Sequence, residues 1–287
     1  MAVNNTVVYA EEWATKFQER LDYNTNWKEV CRVDITDSRV FNNPYMSTVP
    51  SLQSHTRGTY YEHQTFAKTN EYITINQSQI LAMFIDRADL AQQTFVTQME
   101  MAELQGQLIN EYLETDMLAN HAMWTNFDNS SIGGSAGQIT VSASNIDDVI
   151  RGIKREIREA NGQDLMDRNG AFVVWRATDF EILEAYAQAY GYTTADSAIK
   201  DGTKPGFYYM GVYHYMSNKH TANHLFAGVR KLFHLGICRG TYGQVVIDNE
   251  PATGDGPLSG IAVVSRIDWE YKAWTNIAGL LFDVSVA

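Results

Sequence analysis

The sequence predicts an α+β chain, and three observations carry that prediction. Apolar residues recur at helical spacing over a stretch far longer than an ordinary helix. Polar-alternating segments containing Ile, Tyr and Phe precede it, and a series of short strand signals closes the chain. No internal repeat or low-complexity tract interrupts this order, so helices and strands pack as layers.

Composition limits the options. The chain has 287 residues, 45% of them apolar, which is enough for one large domain or two modest ones with a sizeable core. With 34 acidic against 22 basic residues its net charge is -12, which argues against a protein whose main task is gripping phosphates. Cys31 and Cys238 stand far apart, so neither a disulfide framework nor a zinc knuckle is implied, and reduced cytosolic folding is expected. The opening "MAVNNTVVYAEEW" has no basic or apolar leader region, and "ILAMFI" and "IAGLLF" are too short to span a membrane.

The elements follow in order. In residues 8–24, Ala10, Trp13, Ala14, Phe17 and Leu21 share one face of an amphipathic helix. Residues 40–68 are polar and carry Pro44, Pro50 and Gly58, which predicts extended structure with turns. Ile73 and Ile75 alternate with polar neighbours, and "ILAMFI" reads as a more buried strand. From near Ala88, the residues Leu90, Val96, Met99, Leu104, Leu108, Tyr112, Leu113, Leu118 and Met123 keep a helical period over roughly ten turns, against a mean of about three. Gly106 is a point of close packing or bending in this spine. "DNSSIGGSAG" ends it, "ITVSAS" reads as a strand, and Ser144 is placed to cap a helix with Ile146, Val149, Ile150, Ile153 and Ile157 on its buried stripe. "GAFVVW" is a buried strand and "ATDFEILEAYAQAY" a helix with Phe180, Leu183 and Tyr190 inward. A polar loop at 191–206 precedes strands in "FYYMGVYHYMS", "HLFAG", "GQVVID", "IAVVSRIDWEYKAW" and "GLLFDVSV".

Reactive chemistry is mostly missing from this pattern. There is no P-loop, dinucleotide fingerprint, nucleophile elbow or H-E-x-x-H, so no enzyme, cofactor or metal is predicted. His220 and His224 have a metal-like spacing, but "SNKHTANH" reads as a turn and no Cys or carboxylate lies close in sequence. The glycines of "GGSAG" form a connector. Arg151, Arg155 and Arg158, with Lys154 beside them, fall at helical spacing. They form either a basic edge facing a polyanion or acidic neighbours, or a solvated face balanced by Glu156 and Glu159. Asp34 and Asp37 belong to a turn or surface strand.

The region around 40–70 carries the sharper clue. Ordering each residue costs about 1–2 kcal/mol in backbone entropy, and so sparse an apolar pattern cannot recover that within one chain. A second subunit must supply the contacts. An arm helix, an extended segment and a rigid spine suit repeated self-association through many modest interfaces.

In this order of parts the sequence resembles the major capsid proteins of tailed bacteriophages with the Hong Kong 97 fold. The segments that carry the resemblance are "TRGTYYEHQTFAKTNEYITI", then "FIDRADLAQ" running into "LINEYLETDMLANH", then "FVVWRATDFEILEA", "YYMGVYHYMSN" and "HLFAGVRK". It implies an N-terminal arm at 1–35, an extended β-hairpin loop at 36–82 and a peripheral domain with the spine helix at 83–170. An axial domain at 171–260 and C-terminal strands returning to the peripheral domain at 261–287 complete it. By the same resemblance the chain is a structural protein, a major capsid protein. It forms hexamers and pentamers of an icosahedral shell around double-stranded DNA, as a virion component made in the bacterial cytoplasm. The implied partners are a separate scaffolding protein, a portal, a cement or decoration protein, and DNA held by non-specific contact. Trp13, Phe17 and Leu21 become an intersubunit arm face, and Arg57, Tyr60, Tyr61, Phe66 and Lys68 extended-loop contacts. Arg151, Arg155 and Arg158 become a DNA-facing or intersubunit edge. An encapsulin-like protein nanocompartment is the alternative, and an α/β hydrolase a distant one.

Two expected outcomes follow from these residues. Changing Trp13 and Phe17 together to Ser reduces the yield of closed shells more than it alters the circular dichroism of the subunit, and equal shell yields would remove the argument. At Lys68 the resemblance raises a covalent weld, since a loop lysine in the family's founding member bonds an asparagine of a neighbour. That reaction needs a desolvated lysine, and "FAKTNEY" offers only Phe66 and Tyr72. Mature particles boiled in detergent therefore run as one band near 32.4 kDa; a ladder lost on Lys68→Arg would contradict this.

Overall fold

The computed structural model describes residues 26–47, 51–60, 63–86, 95–190, 206–242, 245–248, 252–253, 256–257 and 260–287. Helix α1 (Asn26–Val30) leads directly into strand β1 (Arg32–Thr36), and both are built into the body. Trp27, Val30 and Cys31 are fully buried, while Asn26 donates to Glu114 Oε1 at 2.9 Å and to the Met216 carbonyl at 2.8 Å. Strands β2 (Val40–Met46) and β3 (Lys68–Thr74) pair antiparallel as a two-stranded ribbon, and β4 (Gln77–Asp86) follows. The spine is α2 (Phe95–Ala119), closed by a 3₁₀ turn at Asn120–Met123.

The second half alternates more. After β5 (Thr125–Phe127) come α3 (Ile146–Glu159), α4 (Gln163–Asn169), β6 (Ala171–Trp175) and α5 (Ala177–Ala189). Strands β7 (Gly206–Tyr209), β8 (Val212–Met216), β9 (His224–Val229), β10 (His234–Cys238) and β11 (Val245–Asp248) precede the short pair β12 (Ala252–Thr253) and β13 (Gly256–Pro257). The long β14 (Gly260–Lys272) and β15 (Leu281–Ser285) end the chain. No described helix is long and apolar enough to cross a membrane.

Two sheets organise these elements. In the first, β14 pairs with β4 over ten positions, from Gly260 opposite Asp86 to Trp269 opposite Gln77; it also pairs with β11 and β10, and β10 pairs in parallel with β1. The second sheet has the order β5-β15-β9-β6-β8-β7. A single buried cluster joins the two: Phe226 of β9 packs between Trp124, stacked at 3.7 Å, and Phe172 and Phe233, set edge-on at 4.8 and 5.5 Å. Chain order therefore does not divide cleanly into bodies. β10 and β14 from the later half complete the sheet of β1 and β4, while β15 lies between β5 and β9.

Local physics accounts for the elements that sequence spacing predicts. The α3 stripe is fully buried at Ile146, Val149, Ile150, Ile153 and Ile157, each roughly 1.5–3 kcal/mol of apolar burial. Asp147 and Asp148 sit at its positive end. Every residue of β6 is buried, as a continuous apolar run between two neighbours requires. The β7–β8 turn places Met210 and Gly211 both at positive φ, 51° and 79°, which matches the twist of a tight hairpin. At Gly228, with φ 149°, a Cβ would lie 2.4 Å from the Leu280 carbonyl oxygen, so only glycine lets β9 approach that segment.

Other expectations are corrected. "ITVSAS" forms no strand; Ile139 alone bridges Val286, and Asn145 rather than Ser144 precedes the helix. The Asn145 amide is spent on the turn, accepting from Ser142 N at 2.9 Å and donating to Thr140 O at 2.9 Å. Tyr190 falls beyond α5 and is exposed, and Ala187 takes the inward place. "ILAMFI" is not a buried run: β4 has a neighbour on one edge, and Ile80 and Phe84 are exposed while Leu81 and Met83 are half-buried. Strand β10 was not predicted, and β1 takes the surface-strand alternative at Asp34. The arm helix, the start of the spine near Ala88 and the 191–205 loop lie outside the described residues.

A buried histidine makes the second sheet sensitive to acid. His214 of β8 accepts from Trp175 Nε1 at 3.0 Å, and its Nε2 lies 3.1 Å from the Tyr209 carbonyl. Burial pulls its imidazole from the ordinary 6.5 down to about 4. The unfolded chain binds this proton at higher pH than the folded one, so the stability it supplies is present above 6.5 and is lost as pH falls toward 4. Denaturant unfolding across that window shows the loss. His214→Gln keeps an acceptor and a donor without taking a proton, and so flattens the slope, leaving the part due to His220, which burial also draws down to about 4. An unchanged slope in the variant would contradict this assignment.

Candidate functional site

The candidate site is a set of surfaces rather than a cleft. The β2–β3 ribbon is anchored at its base: Ile73 and Ile75 are buried, Phe41 sets its ring edge against His234 at 5.5 Å, and the Ile75 amide donates to the Arg39 carbonyl. Glu71 accepts from the Thr275 amide at 2.9 Å and from its hydroxyl at 2.5 Å. Beyond Met46 and Lys68 the described residues are mostly exposed. Leu52 and Tyr60 are fully exposed, at 105% and 101%, and Phe66, Arg57 and Lys68 are exposed as well. A turn at Thr56–Thr59, closed by Thr59 N to Thr56 O at 3.1 Å with Gly58 at φ 94°, reverses the chain at the tip. Tyr61, like Trp13, Phe17 and Leu21, lies outside the described residues.

The spine presents two apolar faces. Its inner face carries Ile109, Leu113, Met117 and Leu118, with Gln105, Gly106 and Asn110 buried beside them. The sequence stripe Leu104, Leu108, Tyr112 runs one residue out of phase with this and is 45, 43 and 43% exposed. Sequence periodicity found both rows together, since Leu113 and Leu118 of the same set are buried. Spaced four residues apart, Leu104, Leu108 and Tyr112 form a continuous row along the helix.

The first sheet repeats the arrangement. Odd-numbered residues of β14 (Val263, Ser265, Ile267, Trp269, Tyr271) are buried on the side of the spine. The alternate face pairs Ala262 with Phe84, Val264 with Ala82 and Val246, and Arg266 with Ile80, so Ile80, Phe84 and Val246 share one exposed patch. Apolar rows on three elements that no described residue covers are surfaces of the kind a partner takes.

The three arginines do not stand as one free basic edge. Arg151 lies 3.0 Å from Asp147 and 3.8 Å from Asp148; Arg155 lies 3.7 Å from Glu156 and 3.8 Å from Glu159 and also donates to the Ser131 carbonyl. These are the solvated, balanced pairs that i,i+4 spacing favours. Arg158 instead donates to Gln163 Oε1 at 2.9 Å and lines a cavity of about 350 Å³ with Lys154 and Arg168. Burial, with Arg158 close by, lowers the Lys154 ammonium below its usual range. His220 and His224 do not act as a pair: His224 opens β9, while His220 precedes it in the turn. The groups that gather round His224 come from distant segments, which no sequence spacing signals.

Comparison with known proteins agrees with this geometry. No family model matches the chain, and no curated protein matches it. Solved structures do. The asymmetric unit of the bacteriophage PhiM1 mature capsid is 12% identical, covering 92% of this chain and 88% of that chain with a TM-score of 0.59. A structure from Microbacterium phage Oxtober96 is 14% identical over 92% and 91%, with a TM-score of 0.61. A virus-like particle from Pyrococcus furiosus is 8% identical over 96% and 99%, with a TM-score of 0.59. The likeness is one of fold: the chain has the α+β Hong Kong 97-type architecture of phage capsid proteins.

Proposed function

We propose that this chain is the major capsid protein of a tailed bacteriophage, assembling as hexamers and pentamers into the icosahedral shell that encloses double-stranded DNA. The observation that carries the reading is the correspondence over nearly the whole of both chains with the subunit of a mature phage capsid. The first sheet with the spine acts as the peripheral domain, the second sheet with α3 and α5 as the axial domain, and the β2–β3 ribbon as the extended loop. In this account the ribbon lies on a neighbouring copy, burying Tyr60 and Phe66 there, and the outward rows of the spine and sheet receive it or the arm helix. The function is structural and involves no catalytic step. Scaffolding, portal and decoration partners, and assembly in the host cytoplasm, belong to the proposal through the resemblance. The net charge of -12 suits a shell that holds DNA without adhering strongly to it.

The strand-to-helix passage also finds a reason here. β4 leaves the ribbon, runs ten residues along β14 and reaches the spine through residues 87–94, so one continuous segment links the part that reaches outward to the part that stays rigid. Replacing 51–66 with a short Gly-Ser turn keeps the anchored base and removes the exposed tip. The variant is expected to remain soluble with an unchanged circular dichroism spectrum while forming no closed shells in sedimentation. An unfolded subunit, or shells as abundant as those of the parent, would overturn the reading. Nuclease-protected double-stranded DNA in the native particles distinguishes a phage head from the encapsulin-like alternative, which holds protein.

A further inference from the structure

Three side chains from remote parts of the sequence converge where the spine ends. His121 lies in the 3₁₀ turn Asn120–Met123, His224 opens β9, and Asp283 sits in β15, hydrogen-bonded along β9 with Ser285 opposite His224. The two imidazoles stack with centroids 3.8 Å apart and planes 16° from parallel. His224 Nδ1 lies 2.9 Å from each Asp283 oxygen, and His121 Nδ1 lies 3.6 Å from Oδ2. The three donor groups fall within 4.8 Å of one another.

A hydrogen bond explains only part of this. The carboxylate can only accept, so His224 donates its Nδ1 proton; His121 at 3.6 Å is too far for an N–H···O bond and has turned toward the carboxylate without bonding it. A tetrahedral ion with bonds of about 2.0–2.2 Å to nitrogen and oxygen holds its donors roughly 3.3–3.5 Å apart. The observed separations bracket that span; the imidazoles, stacked 16° from parallel, turn about χ2 to aim their in-plane lone pairs at one centre. Two imidazoles with one carboxylate suit transition-metal ions of the zinc class, whereas calcium and magnesium take all-oxygen sets. Asp283 is 12% exposed and each histidine side chain 29%, so the carboxylate is held by the sheet while the solvent side stays open for entry and for a water as fourth ligand.

We propose that His121, His224 and Asp283 form a binding site for a divalent transition-metal ion of the zinc class. The ion ties the end of the spine to β9 and β15, joining the first sheet's helix to the second sheet at a point where their chain segments are distant in sequence. On binding, the His224 ring takes its other tautomer, the Nδ1 proton exchanging through solvent for one on Nε2, and the freed Nδ1 lone pair, one from His121 and the carboxylate take the metal. All three ligands belong to one chain, so the inference is independent of the capsid reading and can fail without it.

Metal-stripped full-length protein is titrated with Zn²⁺ by calorimetry and with Co²⁺ by visible absorption. The expected result is one equivalent per chain, a Co²⁺ spectrum of four- or five-coordinate form, and a thermal midpoint raised by Zn²⁺. His121→Ala leaves the His224–Asp283 hydrogen bond in place and so keeps the fold. This variant and His224→Ala each weaken binding at least tenfold and lose the Co²⁺ bands. His55→Ala, on the exposed ribbon, changes neither. No saturable binding, or binding undiminished in both cluster variants, would overturn the proposal.

Discussion

The pairing of β14 with its neighbours is the interaction on which the rest of the structure depends. This 13-residue strand is hydrogen-bonded on one side to ten residues of β4 and on the other to β11 and β10. The spine lies across it, held at three levels: Gln105 Nε2 donates to the Val263 carbonyl at 3.2 Å, Tyr271 to the Leu113 carbonyl at 2.9 Å, and Trp269 Nε1 to Asp116 at 2.8 Å. Burial raises the Asp116 carboxyl above its usual range, the Trp269 bond offsetting part of that cost. Each bond crosses between elements far apart in sequence. Together they hold helix and sheet as one rigid body.

That rigidity also aims the ribbon. β4 begins just after β3 ends, and Glu71 is held by Thr275 while Arg39 reaches Asp268 at 3.8 Å, so the base of the ribbon is tied to the C-terminal part of β14 and the turn that follows it. The tip is then carried outward, with its aromatic side chains uncovered. A lone chain that keeps Tyr60, Leu108 and Phe84 in water forgoes apolar burial that a neighbour can supply. Three such surfaces on one rigid frame make assembly cooperative, because each contact fixes the geometry of the next.

What could be read from the sequence was what local spacing encodes. The α3 stripe, the buried β6 and the α5 helix depend on residues within a few positions of each other, and all of them formed. The spine's period was legible, but not which of its residues turn inward: Leu113 and Leu118 are buried while Leu104, Leu108 and Tyr112 stay exposed. Leu104, Leu108 and Tyr112 are more apolar than Gln105 and Asn110, but the latter are buried, and the Gln105 amide finds a carbonyl of β14 there, while of the outer row Tyr112 sets its ring edge against Trp269. In one sequence, an apolar stripe left outward and a stripe turned to the core look alike. β10 escaped because it is five residues long and pairs with β1, from far earlier in the chain, and with β14. The His121, His224 and Asp283 cluster had no local signal either, since its members meet only after both sheets have formed.

The central claim is that surfaces left uncovered in one chain are covered by copies of itself. A cryo-electron microscopy reconstruction of particles formed by the purified chain tests it most directly. The account predicts closed icosahedral shells in which density for the ribbon tip, around Tyr60 and Phe66, lies on an adjacent subunit. A chain that stays monomeric at high concentration, or a shell whose ribbons stand free of their neighbours, would contradict it.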